Sequence, residues 1–384
     1  MRILVDYRPA LRERTGVGEY VHELAKALAA APGTDDIALF TSSWKDRPSP
    51  ALASEMPAPV RIVDVKLPVR ALVWSWNRLE WPPVEWLAGG ADVVHSQSPL
   101  LIPSTAAAQA VTVHDLDFLR HADHLTAEIR RDYPALARSH AGRAHAVIVS
   151  SHYAAGEVTR ELQIDPARVH ICPPGRPSWS AAVLEQRRQA DAHACRSAGD
   201  GTRHILFLGT LSVRKNVGTL LEAYSRLRSR RDKAPPLVLA GHRTAASARW
   251  EARCEQPPLK GHVEIAGYVD LPRRIELYTN AAMLVLPSYE EGFGLPVLEA
   301  MACGVPVIVS SRGSLPEVAG DAADPIDPDD ADGFAREMES VLDGDSSDRI
   351  ARGVAQASRY SWDSCAAAAR NAYRAAIEVH ARRH

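Results

Sequence analysis

Along the chain, short runs of β-branched and aliphatic residues alternate with longer stretches whose apolar positions recur at helical spacing. In the first half RILVDY, DIALFTS, VRIVDV, ADVVHS, QAVTVHD, AHAVIVSS and VHICPP have strand length, which predicts seven strands. Between the first two lies GEYVHELAKALAAA, where Tyr20, Val21, Leu24 and Leu28 share one face of a helix. The rhythm lapses from about Pro173 to Thr202, where PPGRPSW leads into a polar helical stretch that reads as a connection. It then restarts with HILFLG, PLVLAG, VEIAGYV, AAMLVLPS, VPVIVSS and DPIDP as strands and GTLLEAYSRLRS, DLPRRIELYTN and GLPVLEAMACG as helices. Strand and helix in alternation predict parallel sheets covered by helices. The expected architecture is therefore α/β, with two doubly wound domains over residues 1–178 and 179–361. Such sheets bind ligands at the carboxyl ends of their strands, so the active site is expected between the domains. An Ala/Arg-rich helical tail follows, with Ser361 or Asp363 as its N-cap.

Composition narrows the partners. The 384 residues suit two domains. With 45 basic against 47 acidic residues the net charge is −2, which argues against nucleic acid as the main partner. The first apolar run, Ile3 to Val5, is too short for a signal peptide. No run approaches the ~20 apolar residues that cross a bilayer, so any membrane contact is expected to be peripheral. Five cysteines, Cys172, Cys195, Cys254, Cys303 and Cys365, form no CxxC pair and read as reduced thiols of a cytoplasmic chain.

The densest chemistry lies in YEEGFGLPVLEAMACGVPVIVSSRGSLPEVAGDAADPIDPDD. Glu291 to Pro296 form a Gly-rich turn that opens a helix, so backbone N–H groups and the positive helix end should face an anion such as a diphosphate. Upstream, Arg214 and Lys215 sit between a strand and a helix in LFLGTLSVRKNVGTLLEAY. Two adjacent cations so placed can neutralise such an anion, each charge-assisted bond contributing about 1.5–3 kcal/mol.

The forty-residue string closely resembles the signature of the retaining glycosyltransferases of family 4, which have the GT-B fold of two facing Rossmann-like domains. Glu291 and Glu299 form its Glu-x7-Glu pair. The strand, Gly turn and Arg-Lys pair ending in Arg214 and Lys215 are similar to the same family's. So are RTGVGEYVHELAKAL with Gly16 and Gly18, VTVHDLDFL with its His-Asp step, and SSHYAAGEVTREL with VHICPPG. The likeness spans roughly residues 1–375, and the first-domain segments are most similar to the bacterial mannosyltransferase branch. One departure is Gly175-Arg176-Pro177, where the family often has Gly-Val-Asp.

The resemblance implies transfer of a hexose from a nucleotide-diphosphate sugar to a hydroxyl acceptor, which is a glycan, a lipid-linked sugar or a small molecule. GDP-mannose leads as donor, with UDP- and dTDP-sugars open because the base is held by backbone around Gly267, Tyr268 and Val269. It implies Glu291 on the donor sugar and Glu299 on the ribose. The amides of Phe293, Gly294 and Leu295, with Arg214, Lys215 and the turn at Gly209, would hold the diphosphate; Gly16 and Gly18 would let backbone approach phosphate or sugar. His114 would contact the sugar or phosphate from the first domain. No carboxylate is assigned to attack the anomeric carbon, so front-face attack is favoured over double displacement. The resemblance implies no cofactor and no metal, and a terminal helix from about Trp362 that returns to the first domain.

Other classes fit the same alternation of strand and helix. A nicotinamide oxidoreductase needs GxGxxG directly after the first strand, whereas Gly16-Val17-Gly18-Glu19-Tyr20-Val21 comes about ten residues later and lacks the third glycine. An epimerase or phosphorylase of the same fold, or a non-catalytic sugar-nucleotide binding protein, stay open. His114, Asp115, Asp117, His121 and His124 lie close enough in sequence to suggest a metal site; the resemblance implies instead that the Arg-Lys pair does a divalent ion's electrostatic work, leaving Asp117 a loop-ordering or acceptor-side role. Finally, Trp74, Trp76, Trp81 and Trp86 fall within thirteen positions. They read either as core rings or as an acceptor groove or membrane-facing surface beside Arg70 and Arg78, and the second reading expects at least one of Trp74 and Trp76 to be exposed on the cleft side.

Overall fold

A computed structural model describes the chain except residues 12, 13, 15, 32, 34, 121–126, 195–202 and 384, and all other side chains but those of 120, 127–132 and 191–194. The chain divides into two compact units, Met1–Gly175 with Ser361–His384, and Arg176–Tyr360.

The first unit is built on seven parallel strands: β1 (Arg2–Asp6), β2 (Asp36–Ser42), β3 (Arg61–Val65), β4 (Val93–Ser96), β5 (Ala108–Thr112), β6 (Ala146–Val149) and β7 (Val169–Ile171). Their order is β3-β2-β1-β4-β5-β6-β7, and all seven expected runs are strands. Most are buried on both faces, which is why they read as unbroken apolar runs instead of alternating ones. Side chains still alternate between the faces. Ile3, Val5, Ile37 and Leu39 point toward the helix Gly16–Ala30. Leu4, Ala38 and Phe40 point the other way, toward Leu72 and Trp76 of the helix Val69–Leu79.

The terminal helix, Trp362–Arg383, belongs to this unit although it ends the chain. Ser361 caps it, its Oγ accepting from Ser364 N at 3.1 Å. Cys365, Ala366, Ala369, Ala372, Tyr373 and Ala376 recur every three or four positions and are all buried against β5, β6 and the helix Gly16–Ala30. The small side chains let the two helices approach closely. Polar ties add direction: Arg370 Nε pairs with Asp35 at 2.9 Å, and the Tyr373 hydroxyl lies 2.8 Å from His95 Nδ1.

The second unit carries five parallel strands, β8 (His204–Leu208), β9 (Leu237–Ala240), β10 (Val263–Gly267), β11 (Ala281–Leu286) and β12 (Val307–Val309), in the order β10-β9-β8-β11-β12. The expected helices form at Val217–Arg230, Leu271–Thr279 and Leu295–Ala302. DPIDP does not form a strand. It makes a single bridge, Ile326 to Ser310, because Pro325 and Pro328 have no N–H for a ladder and the chain then turns through Asp327, whose carboxylate accepts from Asp329 N at 2.9 Å. The connecting helix Ser180–Ala194 is anchored to this unit by buried Arg187. Its Nη1 donates to the carbonyls of Tyr278, Thr279 and Ala281 at 3.0, 2.8 and 2.8 Å.

Strand order reverses between β1 and β4 in the first unit and between β8 and β11 in the second. In open α/β sheets these are the points where diverging loops leave room for a ligand. The donor-site residues singled out by sequence follow β1 and β5 in the first unit and β8, β10 and β11 in the second.

Candidate functional site

In the second unit two loops meet at the carboxyl ends of β8 and β11. The first turns at Gly209, whose N–H donates to Ala240 O at 2.8 Å, and enters the short turn Val213–Lys215 before the helix Val217–Arg230. The second runs from Ser288 to Gly294. They are stitched together by Tyr289 N donating to Arg214 O at 2.8 Å and Arg214 Nη1 donating to Glu290 O at 3.0 Å.

Glu291 sits buried at their meeting point. Its Oε1 accepts from Ser288 Oγ at 2.8 Å and is ion-paired to Lys215 Nζ, and its Oε2 lies 3.6 Å from Arg214 Nη1. Burial alone would raise the pKa of this carboxyl. The charges of Lys215 and Arg214 and the hydrogen bonds from Lys215 and Ser288 outweigh it and hold the group below the usual carboxylate range. The backbone is fixed as firmly: Glu291 O accepts from Ser314 N and Oγ at 3.1 and 3.0 Å. Only glycine fits at 313, where φ is 65° and a Cβ would stand 2.6 Å from Glu291 N.

Three residues on, Gly294 takes φ 100° and ψ 50° and starts the helix Leu295–Ala302. The amides of Phe293, Gly294 and Leu295 have no hydrogen-bond partner among the described residues. They therefore remain available at the positive end of the helix. Phe293 is buried edge-on against Tyr360, with centroids 5.5 Å apart.

Glu299 lies inside that helix and is also buried. Its Oε2 accepts from the Tyr278 hydroxyl at 2.8 Å, and its Oε1 lies 3.5 Å from Arg274 Nη1. Arg274 stands over the Trp179 ring, 5.6 Å from its centroid, and Trp179 stacks on Tyr278 at 5.9 Å. Sequence reasoning missed Arg274, Tyr278 and Trp179. Arg274 and Tyr278 are i and i+4 on one helix face, a visible spacing, but nothing local shows that this face meets a carboxylate. At the end of β10, Tyr268 is partly exposed and stacks on His242 at 5.0 Å, while Val269 packs on the core.

In the first unit His114 follows β5 with its ring edge-on to Tyr20, 5.3 Å away. Its Nε2 is buried without a partner. Burial pushes the imidazole down to about 4, against the charge of Asp115 and a hydrogen bond to the Gln97 backbone, which favour the protonated form. The ring is neutral near pH 7. Behind it His95, held by Thr112 Oγ1 at 2.7 Å and Tyr373, is pushed down to about 3 by burial and by its neighbour His114. Gly16 opens the helix Gly16–Ala30 with open space where a Cβ would stand, and Gly18 is buried in its first turn.

Asp117 N donates to the Asp115 carboxylate at 3.2 Å, ordering the loop. His121 and His124 lie outside the described residues, among which no group of three or more His, Cys, Asp or Glu is placed to hold a metal.

The tryptophans separate. Trp76 is 2% exposed, tilted against Phe40 at 5.6 Å, and its indole N–H donates to Pro82 O at 2.9 Å. It is a core ring and does not line an acceptor surface, which corrects the expectation for this residue. Trp74, Trp81 and Trp86 are 60%, 53% and 70% exposed.

Comparison with known proteins decides the family. Residues 15–175 match the glycosyl transferase 4-like domain and residues 192–356 match the glycosyl transferases group 1 family, so the two matches span most of the chain. The chain is a GT4-type glycosyltransferase. This transferase is 28% identical over 393 residues to the O-antigen chain mannosyltransferase B of Escherichia coli, covering 97% of this chain and 100% of that one. Its fold is GT-B. The structure of sucrose-phosphate synthase from Thermosynechococcus elongatus matches with a TM-score of 0.73 at 20% identity, covering 97% of this chain and 98% of the other. That of Anabaena Alr3699/HepE in complex with UDP and glucose matches with a TM-score of 0.68 at 14% identity, with the same coverage. The transferase is thus an enzyme of the hexosyltransferase kind. Among its described residues no helix is long and apolar enough to cross a membrane.

Proposed function

We propose that the enzyme transfers mannose from GDP-mannose to a hydroxyl of a glycan, lipid-linked or small-molecule acceptor, with retention of anomeric configuration and without a metal. The observation that carries this reading is the buried cluster of Lys215, Arg214 and Glu291 after β8 and β11, beside the unpartnered amides of Phe293 to Leu295. The mannosyl part is supported by the Escherichia coli mannosyltransferase relative. UDP-sugars are the second donor class, favoured by the UDP and glucose of the Anabaena structure.

In this reading the diphosphate sits on the three amides and against Arg214 and Lys215, which stabilise the negative charge that grows as the sugar–phosphate bond breaks. Glu291, kept ionised, accepts hydrogen bonds from hydroxyls of the donor sugar and fixes its face. His114, neutral, meets the sugar or phosphate through its unpartnered Nε2. The acceptor oxygen bonds to the anomeric carbon on the face the diphosphate leaves, and the acceptor's proton passes to the departing diphosphate. Glu299 holds the ribose, oriented by Tyr278 and Arg274, and backbone around Gly267 to Val269 faces the base.

The two glutamates then have separable tasks. Glu299→Gln is expected to weaken binding of bare GDP by about tenfold, the loss of one charge-assisted bond. Glu291→Gln is expected to leave bare GDP affinity nearly intact and to lower turnover. Calorimetric titration of GDP against both variants checks this, and equal losses of affinity would contradict the assignment.

A further inference from the structure

We propose that the outer face of the helix Val69–Leu79 and the turn after it form a docking surface for an anionic lipid bilayer. The helix commits Leu72 and Trp76 to the core. Its opposite face carries Arg70, Trp74 and Arg78 at i, i+4 and i+8, a tryptophan between two arginines, all exposed. Just beyond its end Leu79, Trp81 and Trp86 are exposed as well, and the last two rings meet edge-on at 5.8 Å. Trp81 is held at the helix by its carbonyl, which accepts from Ser75 Oγ.

The surface continues at the start of the helix. Trp44 and Leu67, both exposed, stand just past the ends of the paired strands β2 and β3. Their loops are joined by Ser42 Oγ donating to Leu67 O at 3.2 Å and Ser43 N donating to Val65 O at 3.3 Å. Most of the exposed large apolar side chains among the described residues therefore fall in this one stretch, where solvent gives them no favourable contact.

Charge complementarity selects the partner. Acidic residues of the same stretch are engaged elsewhere: Asp64 with Arg47, Glu80 with Arg143 at 2.7 Å, and Glu85 with the amides of Thr105 and Ala106 at 3.1 Å. Lys66 and Arg70 have no carboxylate partner among the described residues. Cations beside exposed tryptophans match the anionic headgroup level of a bilayer. A glycan platform would use the ring faces but gain nothing from Leu67 and Leu79, whereas both reach the acyl boundary of a membrane. The inference rests on this surface and not on the donor or acceptor assigned above.

The test is co-sedimentation of the full chain, without donor or acceptor, with vesicles of phosphatidylcholine alone or containing phosphatidylglycerol. Association is expected with the phosphatidylglycerol vesicles, falling as salt rises. Trp74→Ala combined with Trp86→Ala, and separately Arg70→Glu, should each weaken it by about tenfold while melting like the parent, since these side chains are exposed. No association with either vesicle, or association that both variants leave unchanged, would overturn the proposal. So would variants that bind vesicles normally and instead lose affinity for a soluble glycan. If the double variant melts early, Arg70→Glu alone decides.

Discussion

Lys215→Ala is expected to lower kcat by about a hundredfold or more at saturating donor, with a much smaller change in KM. Lys215 is buried, and its ammonium is the nearest cation to Glu291, in a loop stitched on both sides to the strand-end turn after β11. In the proposed mechanism, removing it takes a full charge from the place where the leaving diphosphate gains one. It also leaves the Glu291 carboxylate with Arg214 at 3.6 Å and Ser288 at 2.8 Å as its remaining partners. A buried carboxylate stripped of its partner destabilises the fold, so thermal melts must accompany the kinetics. The combination with Glu291→Gln separates the two effects. If Lys215 served only to neutralise Glu291, the double variant would turn over as fast as Glu291→Gln alone; if it stabilises the leaving group, stability returns and turnover falls well below that of Glu291→Gln. Parent-like kcat in Lys215→Ala would remove the cation from the mechanism.

Deleting residues 362–384 is expected to unfold the first unit. The deletion takes Cys365, Ala366, Ala369, Ala372, Tyr373 and Ala376 out of a core that also contains β1 and the helix Gly16–Ala30. The apolar burial lost is on the order of 10 kcal/mol, comparable to the whole stability of a domain. Calorimetry should show the first transition disappear. Tyr373→Phe keeps the packing and removes the hydroxyl beside His95, so it is expected to cost only about 1–2 kcal/mol. A truncated chain with parent melting behaviour would contradict this account of the terminal helix.

Much of this architecture was legible because parallel strands buried on both faces leave continuous apolar runs, as most of β1 to β7 do. DPIDP misled because Ile326 between acidic residues mimics a short strand; its two prolines were the physical signal against it. Trp74 and Trp76 show how a local pattern is lost by reading residues as a set. Leu72 and Trp76 are i and i+4 and share the core face, while Trp74 falls on the opposite side with Arg70 and Arg78. The site was legible as far as it is local, in the Gly-rich turn, the Arg-Lys pair and the glutamate spacing. What sequence did not show is contact between distant segments. The pairing of Lys215 with Glu291, the embrace of Glu299 by Arg274 and Tyr278, the three carbonyls gathered by Arg187 and the meeting of His95 with Tyr373 all depend on how strands are ordered in the sheets. No spacing along the chain encodes those distances.

Transfer of a hexosyl group from a nucleotide-diphosphate sugar by fixed charges is tested by product analysis. The enzyme is incubated in EDTA with GDP-mannose or UDP-glucose and a panel of hydroxyl acceptors. Released nucleoside diphosphate is quantified, and the anomeric configuration of the product is read by NMR. Stoichiometric nucleoside diphosphate and glycoside, retained configuration, GDP-mannose as the better donor and full activity in EDTA are expected. An epimerised or merely bound nucleotide sugar with no glycoside formed, an inverted product, or activity abolished by EDTA and restored by manganese would contradict this.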